Sequence, residues 1–371
     1  MRVVHIHKLT GVSGSESHLL ALLPALRTAG IDARFLGLDV PGSDAPRFYR
    51  RLEGLDVPYR QVRCGTDVSV RMARDVVRAV RAEDPDLIHT HLVHGDVYGA
   101  LAAAALRIPY LSTRHNDDRY LLGPFRYVDR AFAHRARRLI AISDAVRCFL
   151  EQAGHAPEKL VTVRYGLDEL PSAAAEVTPE EEGIPPDAPL AIAVGRLIAQ
   201  KDHATLLRAF ARVHSELPDA RLAILGSGPL ESETRALVRN LSLGEVVSLP
   251  GRINVREWLE RGDVFAHTSR WEGFGIVLLE AMLASLPVVA TSVSAVPEVV
   301  ADGETGILVD EGDVNGVATA LRGLLEDAVL ARQLGAAGRE RVLREFSVAR
   351  MAGRTIEVYR AALLDDGRRR T

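Results

Sequence analysis

The chain has 371 residues, about twice the length of a usual domain, so two domains are the first expectation. Its 47% hydrophobic and 26% charged residues are a globular composition, and a formal net charge of −3 argues against a dedicated nucleic-acid binder. No apolar run is long enough for a membrane span, the N-terminus reads as a strand rather than a signal peptide, and Cys64 and Cys148 make no disulfide framework. A cytoplasmic location is the resulting expectation. Only three of the 46 basic residues are lysine: Lys8, Lys159 and Lys201.

Short apolar runs alternate with helical patterns, as in a parallel sheet covered by helices. In the first half, strands are expected over 3–7, 33–38, 87–90, 110–113, 139–142 and 160–163. Helices are expected over 17–29, 68–82, 97–106 and 144–153. Residues 171–189, with five prolines and a glutamate run, read as a linker with little structure of its own. The alternation then restarts, with strands over 190–194, 221–225, 246–249, 264–267 and 287–290. The intervening helices cover 204–214, 231–241 and 276–284. A final amphipathic helix begins near residue 347 and carries Ile356, Tyr359, Ala362 and Leu363 at helical spacing. No short-period repeat is present.

The densest chemical signal begins at Trp271. From Gly273 to Ala290 the chain is apolar or small except for Glu280. A carboxylate inside such a run needs a partner, either an arginine in a structural ion pair or the paired hydroxyls of a ribose. Glu272 stands just before the expected helix, where Gly273 and Gly275 let the backbone approach a ligand. The helix N-terminus beyond them, at Ile276, is a ready seat for phosphate.

The pattern Glu272-Gly273-Phe274-Gly275, then Glu280-Ala281-Met282 and Pro287-Val288-Val289-Ala290, resembles the nucleotide-sugar signature of family 4 of the retaining glycosyltransferases. The resemblance covers the whole chain. It implies a GT-B fold: two doubly wound Rossmann-like domains facing a cleft, at 1–170 and 190–346, with a C-terminal helix (347–371) returning to the first. By the same likeness the first domain is the acceptor side and the second binds the nucleotide sugar. Gly195-Arg196 and Lys201-Asp202 are similar to the family's diphosphate-gripping element, which implies that Arg196 and Lys201 hold the donor diphosphate. Gly226 and Gly228 stand where backbone meets the nucleotide, and Arg252 where a loop edges the base. Glu280 would hold the ribose, Glu272 the donor sugar's hydroxyls, and His115 the sugar near the reacting carbon.

Ser13-Gly14-Ser15 resembles the family's Gly-Gly loop, with Gly14 near the diphosphate and Ser15, His18 and His91 toward the acceptor. Departures from the family pattern are Ser13, Ser285 and Ser294-Ala295, where glycine is usual, and Tyr165, where asparagine is usual. The resemblance implies metal independence and no cofactor beyond the nucleotide diphosphate sugar. The expected activity moves a hexose-type sugar from a UDP- or GDP-linked donor to a glycan, lipid-linked or small-molecule acceptor, with retention. An inverting route with His18 as base is the mechanistic rival. A GT-B nucleotide-sugar 2-epimerase and a non-catalytic nucleotide-sugar binder are the competing functions.

Other features have simpler readings. His89-Thr90-His91-Leu92-Val93-His94-Gly95-Asp96 looks like a metallo-hydrolase cluster, but Val93 occupies an acidic position and the strand–helix setting is wrong for that fold. Asp84-Pro85-Asp86 is expected to be a turn. Arg126, Arg130, Arg135, Arg137 and Arg138 interleave with Phe125, Tyr127 and Phe132. Such a run is ordinarily a solvated helix face; with Arg47, Phe48, Tyr49, Arg50 and Arg51 it also fits peripheral contact with an anionic inner membrane face.

Overall fold

The computed structural model describes residues 1–9, 14–65, 69–117, 123, 125–170 and 177–367. Contacts divide the chain into two units, Met1–Gly166 with Ser347–Thr371, and Leu167–Phe346.

The first unit runs β1 (Arg2–Leu9), α1 (Gly14–Thr28), β2 (Asp32–Asp39), α2 (Ala45–Gly54), β3 (Tyr59–Arg63) and α3 (Val70–Glu83). It continues with β4 (Leu87–His91), α4 (Leu92–Leu106), β5 (Tyr110–Arg114), α5 (Arg126–Arg135), β6 (Leu139–Ala141), α6 (Asp144–Gln152) and β7 (Leu160–Thr162). The second unit runs β8 (Leu190–Val194), α7 (His203–Glu216), β9 (Arg221–Leu225), α8 (Glu231–Asn240), β10 (Val247–Gly251), α9 (Arg256–Arg261) and β11 (Val264–His267). Then come α10 (Ile276–Leu283), β12 (Val288–Thr291), α11 (Val296–Val299), β13 (Gly306–Val309), α12 (Val314–Glu326) and α13 (Ala328–Glu345). The last helix, α14 (Val348–Gly367), belongs to the first unit and packs on α1.

Each unit is one parallel sheet, ordered β3-β2-β1-β4-β5-β6-β7 in the first and β10-β9-β8-β11-β12-β13 in the second. Helices cover parallel strands on both faces, so the central strands read as near-continuous apolar runs; Val3, Val4, Ile6 and Leu9 of β1 are all fully buried. The strand order reverses between β1 and β4, and again between β8 and β11. Ligands of doubly wound sheets bind at the carboxyl ends of the strands at such points.

Several elements differ from the sequence expectations. Helix α4 starts at Leu92, directly from the strand, with Leu92 at a positive φ of 60°. The pair α2–β3 was not anticipated, because α2 is mostly polar and β3 alternates only weakly. Within α2, Phe48 and Tyr49 are buried against Phe35, so this aromatic pair is core and offers nothing to a membrane. Asp84 caps α3 in the left-handed region, and Asp86 accepts a hydrogen bond from the Arg2 backbone at 2.7 Å, which accounts for Asp84-Pro85-Asp86 as a turn. Residues 177–189 form no helix or strand, yet they are held to the second unit. The Trp258 indole donates to the Val177 carbonyl at 2.9 Å, and Arg261 donates to the carbonyls of Pro185 and Ala188. Among the described residues, no helix is long and apolar enough to cross a membrane.

Candidate active site

In the second unit the candidate residues gather at the β8/β11 switch. After β8 the chain passes Gly195-Arg196, makes a short 3-10 turn over Ala199–Lys201 and enters α7 through Asp202 at φ 43°. The loop after β11 is tied to it. Gln200 Nε2 donates to the Trp271 carbonyl at 2.9 Å, Arg270 N–H donates to the Gln200 carbonyl at 2.8 Å, and the Thr268 hydroxyl lies 3.2 Å from the Lys201 carbonyl. These ties place Lys201 Nζ 2.5 Å from Glu272 Oε2, while His267 Nε2 donates to the same oxygen at 3.2 Å.

Burial pushes the Glu272 carboxyl up, but the Lys201 charge and the His267 hydrogen bond outweigh it and lower the group to about 2. His267 is lowered, chiefly by burial. The result is a fixed ammonium–carboxylate pair with a neutral imidazole beneath it. Arg196 is exposed, and its guanidinium makes no hydrogen bond or ion pair among the described residues.

The glycines explain how the loops fit. A Cβ on Gly226 would sit 1.9 Å from the Gly195 carbonyl oxygen, and one on Gly228 would sit 2.4 Å from that of Leu197. Side chains at either position would push the β9 loop off the backbone that carries Arg196. Gly275 caps α10 at φ 85° with no side-chain cap, so the helix presents uncapped N–H groups. Gly273, Phe274 and Ile276 are buried around that terminus, with Phe274 against Phe346. Glu280, on the same helix, is 8% exposed. Arg252 is exposed just beyond β10. Ser285 and Ser294 take φ values of 61° and 45°, the left-handed conformation that glycine adopts without strain.

In the first unit a second group of candidates lies at the β1/β4 switch. The two strands pair in register, His5 opposite His89 and His7 opposite His91, and all four rings are fully buried. His91 Nδ1 lies 2.9 Å from His115 Nε2, and His115 Nδ1 lies 2.5 Å from the Tyr165 hydroxyl. His18, on α1, stacks on Tyr165 at 4.3 Å and approaches His115 at 5.6 Å between centroids. Gly14 opens α1, and the Ser15 hydroxyl sits 3.2 Å from His7 Nε2 and donates to Glu16 at 3.0 Å. Ser13 lies outside the described residues.

Burial holds the imidazoles neutral: His5 and His18 are each lowered to about 3, and His89, His91 and His115 well below the ordinary value. Below them Arg114 pairs with Asp96 at 3.0 Å and Asp129 at 2.8 Å, anchoring the end of β5 to α4 and α5. His5, His89 and His91 also have ring nitrogens within 4.8 Å of one another, the spacing of a candidate metal group. Hydrogen bonds already engage those nitrogens.

The structure therefore brings Gly195, Lys201, Gly226, Glu272 and Gly275 into one cluster, and Ser15, His18, His91 and His115 into another. Sequence reasoning missed His267, His5, His7 and Tyr359. The alternation His5-x-His7 and His89-x-His91 was the available signal, since period two puts each pair on one strand face. Only the register of β1 on β4 shows that the pairs meet.

The family models for glycosyl transferases group 1 and glycosyltransferase family 4 match residues 175–341 and 12–169. The α-maltose-1-phosphate synthase of Mycolicibacterium smegmatis is 30% identical over 380 residues, covering 94% of this chain and 95% of that protein. The N-acetyl-α-D-glucosaminyl L-malate synthase of Bacillus anthracis is 30% identical over 308 residues, covering 80% of each. In fold, the crystal structure of Anabaena HepE in complex with UDP and glucose matches with a TM-score of 0.82 at 21% identity, covering 97% of this chain and 100% of that one. Two parallel-sheet units, a Lys–Glu pair at one switch point and full-length relatives lead to one conclusion: the chain belongs to glycosyltransferase family 4 and is a glycosyltransferase of the GT-B fold.

Proposed function

We propose that the protein transfers a hexose-type sugar from a UDP- or GDP-linked donor to an acceptor hydroxyl with retention at the anomeric carbon. The observation that carries this reading is the Lys201–Glu272 pair beside the uncapped N-terminus of α10. A departing nucleoside diphosphate is the charge that grows in the transition state. Fixed cations and N–H dipoles aimed at it lower the barrier without reorganising. Lys201, Arg196 and the N–H groups of Gly275 and Ile276 fill that role. Gly14, Gly226 and Gly228 admit the nucleotide against backbone, Phe274 and Gly273 shape the turn, and Arg252 edges the base. Glu280 accepts from the ribose hydroxyls and Glu272 from those of the sugar. Because Glu272 stays ionised, it is an acceptor for hydroxyl donors and not an acid.

Retention is supported by the weakness of the available base. His18 is neutral and lowered to about 3 by burial and by the nearby His7, so it takes up a proton poorly near neutrality. Both relatives are named for small anionic α-configured products, an α-maltose 1-phosphate and an N-acetyl-α-D-glucosaminyl L-malate. A small-molecule acceptor is accordingly the favoured class. No residue of the proposed mechanism requires a metal. At the start of α5, Phe125, Tyr127 and Val128 are exposed beside Arg126, which supports peripheral contact with anionic lipid; cosedimentation with anionic but not neutral vesicles tests it.

A thermal-shift screen of UDP-, GDP- and ADP-sugars tests the donor class, since a ligand that binds the folded state raises its melting temperature by mass action. One nucleotide series is expected to stabilise, and Lys201→Ala is expected to abolish both the shift and turnover. No shift with any of the three overturns the reading. Product configuration by NMR tests retention: a β product from an α donor refutes it.

A further inference from the structure

Seven side chains of the first unit form one unbranched file of hydrogen bonds. His89 Nε2 lies 2.7 Å from Thr113 Oγ1, and His89 Nδ1 lies 2.8 Å from the Tyr359 hydroxyl. That hydroxyl lies 3.1 Å from His5 Nε2, and His5 Nδ1 lies 3.0 Å from His91 Nε2. His91 Nδ1 then meets His115 Nε2, and His115 Nδ1 meets Tyr165. Each imidazole uses both nitrogens, and burial keeps each neutral.

A neutral imidazole has one N–H and one lone pair. Every ring in the file must therefore donate on one side and accept on the other, so the whole file points one way or the other. If His89 donated to Thr113, the buried Thr113 proton would have no acceptor among the described residues. If Thr113 donates to His89, the one proton not used within the file is instead that of the Tyr165 hydroxyl, at the part-buried site end, whereas the Thr113 end is buried. An unsatisfied buried hydroxyl is costly, and that cost selects the second direction. Thr113 donates to His89, His89 to Tyr359, Tyr359 to His5, His5 to His91, His91 to His115 and His115 to Tyr165.

We propose that this file sets the proton polarity of the candidate active site: it holds His115 as the Nδ1–H tautomer, so that His115 serves the substrate only as a hydrogen-bond donor and never as a base. The His115 lone pair, on Nε2, is capped by His91. Its Nδ1–H points at the Tyr165 oxygen, and a substrate oxygen that takes the place of Tyr165 meets a donor. Thr113, His89, Tyr359, His5 and His91 are positioning residues, and Tyr359 brings α14 into the device. This deepens the glycosyltransferase reading and rests on it for the identity of the substrate oxygen, a sugar hydroxyl or diphosphate oxygen. The polarity itself does not depend on that reading.

The test is the tautomer of each ring in the ligand-free full-length protein, read by long-range proton–nitrogen correlation after histidine 15N labelling. His5, His89, His91 and His115 are all expected to show a pyrrole-type Nδ1 and a pyridine-type Nε2 near neutral pH. In Thr113→Val either direction leaves one His89 nitrogen unpartnered, so the preference shrinks and His115 is expected to populate the Nε2–H form. Thr113→Ser is expected to restore the single form. An Nε2–H or imidazolium His115 in the wild type overturns the proposal. So does an unchanged His115 in folded Thr113→Val, or a transition metal retained at one equivalent on His5, His89 and His91. A protein with the four expected tautomers but no transfer from any nucleotide sugar would refute the functional reading and leave the file standing.

Discussion

Lowering the pH is expected to unfold the first unit well before the second. His5 and His18 are each lowered from 6.5 to about 3, and His89, His91 and His115 lie well below 6.5, all with burial as the first cause. Between the folded and unfolded values the unfolded chain binds the extra proton, so stability falls as pH drops through 6.5 toward 3. For a ring lowered to about 3, such as His5 or His18, the loss at about pH 5.5 is on the order of 1 kcal/mol. His5, His18, His89, His91 and His115 all act in this direction, and together they draw on a domain stability of only roughly 5–15 kcal/mol. The second unit carries fewer such rings, His203 and His267. Its depressed Glu272 moreover keeps contributing until the pH falls below 4.5 toward about 2. The aromatic residues report the two units separately, because all eight tyrosines lie at positions up to 165 or at 359 while the tryptophans are Trp258 and Trp271. Tyrosine near-ultraviolet dichroism is expected to collapse near about pH 5, while tryptophan fluorescence still reports a folded second unit. Persistence of the tyrosine signal to about pH 4 would show that the rings are not held neutral by burial, and the reasoning would fail.

Three further outcomes follow from the second unit. Lys201→Met strands a buried carboxylate and is expected to cost about 3–5 kcal/mol by tryptophan-monitored denaturation, with Glu272→Gln in the same chain recovering much of it; additive losses would argue against the pair. Glu280→Gln is expected to raise the donor KM by roughly ten- to a hundredfold, the equivalent of a charged hydrogen bond worth about 1.5–3 kcal/mol, with kcat less affected. A change in kcat alone would move Glu280 away from the ribose. Ser294→Gly relieves a left-handed serine and is expected to stabilise by about 1 kcal/mol in the same assay, whereas a loss would mean that the serine side chain repays its strain.

Much of the architecture was legible because a covered parallel sheet writes itself into the chain as apolar runs separated by amphipathic ones. Strands at 190–194, 221–225 and 264–267 were read to the residue. The motif from Glu272 to Glu280 was legible because a lone carboxylate in an apolar run needs a partner whatever the fold. Helix α2 and strand β3 were not, since they pack on one face and carry mostly polar residues elsewhere. The aromatic pair Phe48 and Tyr49 was misjudged for the same reason: only packing shows which face of a basic helix turns inward.

By itself, then, the sequence determined the class of the protein, two wound sheets and a nucleotide-sugar signature, because periodicity and local motif are properties of neighbouring residues. What the tertiary structure alone decided is which distant groups meet. Lys201 reaches Glu272 across 71 positions, and His89 reaches Tyr359 across 270. Such meetings depend on strand order and register, which place residues far apart in the chain within hydrogen-bonding distance. Burial then keeps the histidine file neutral, while Lys201 and His267 outweigh burial at Glu272 and leave it ionised.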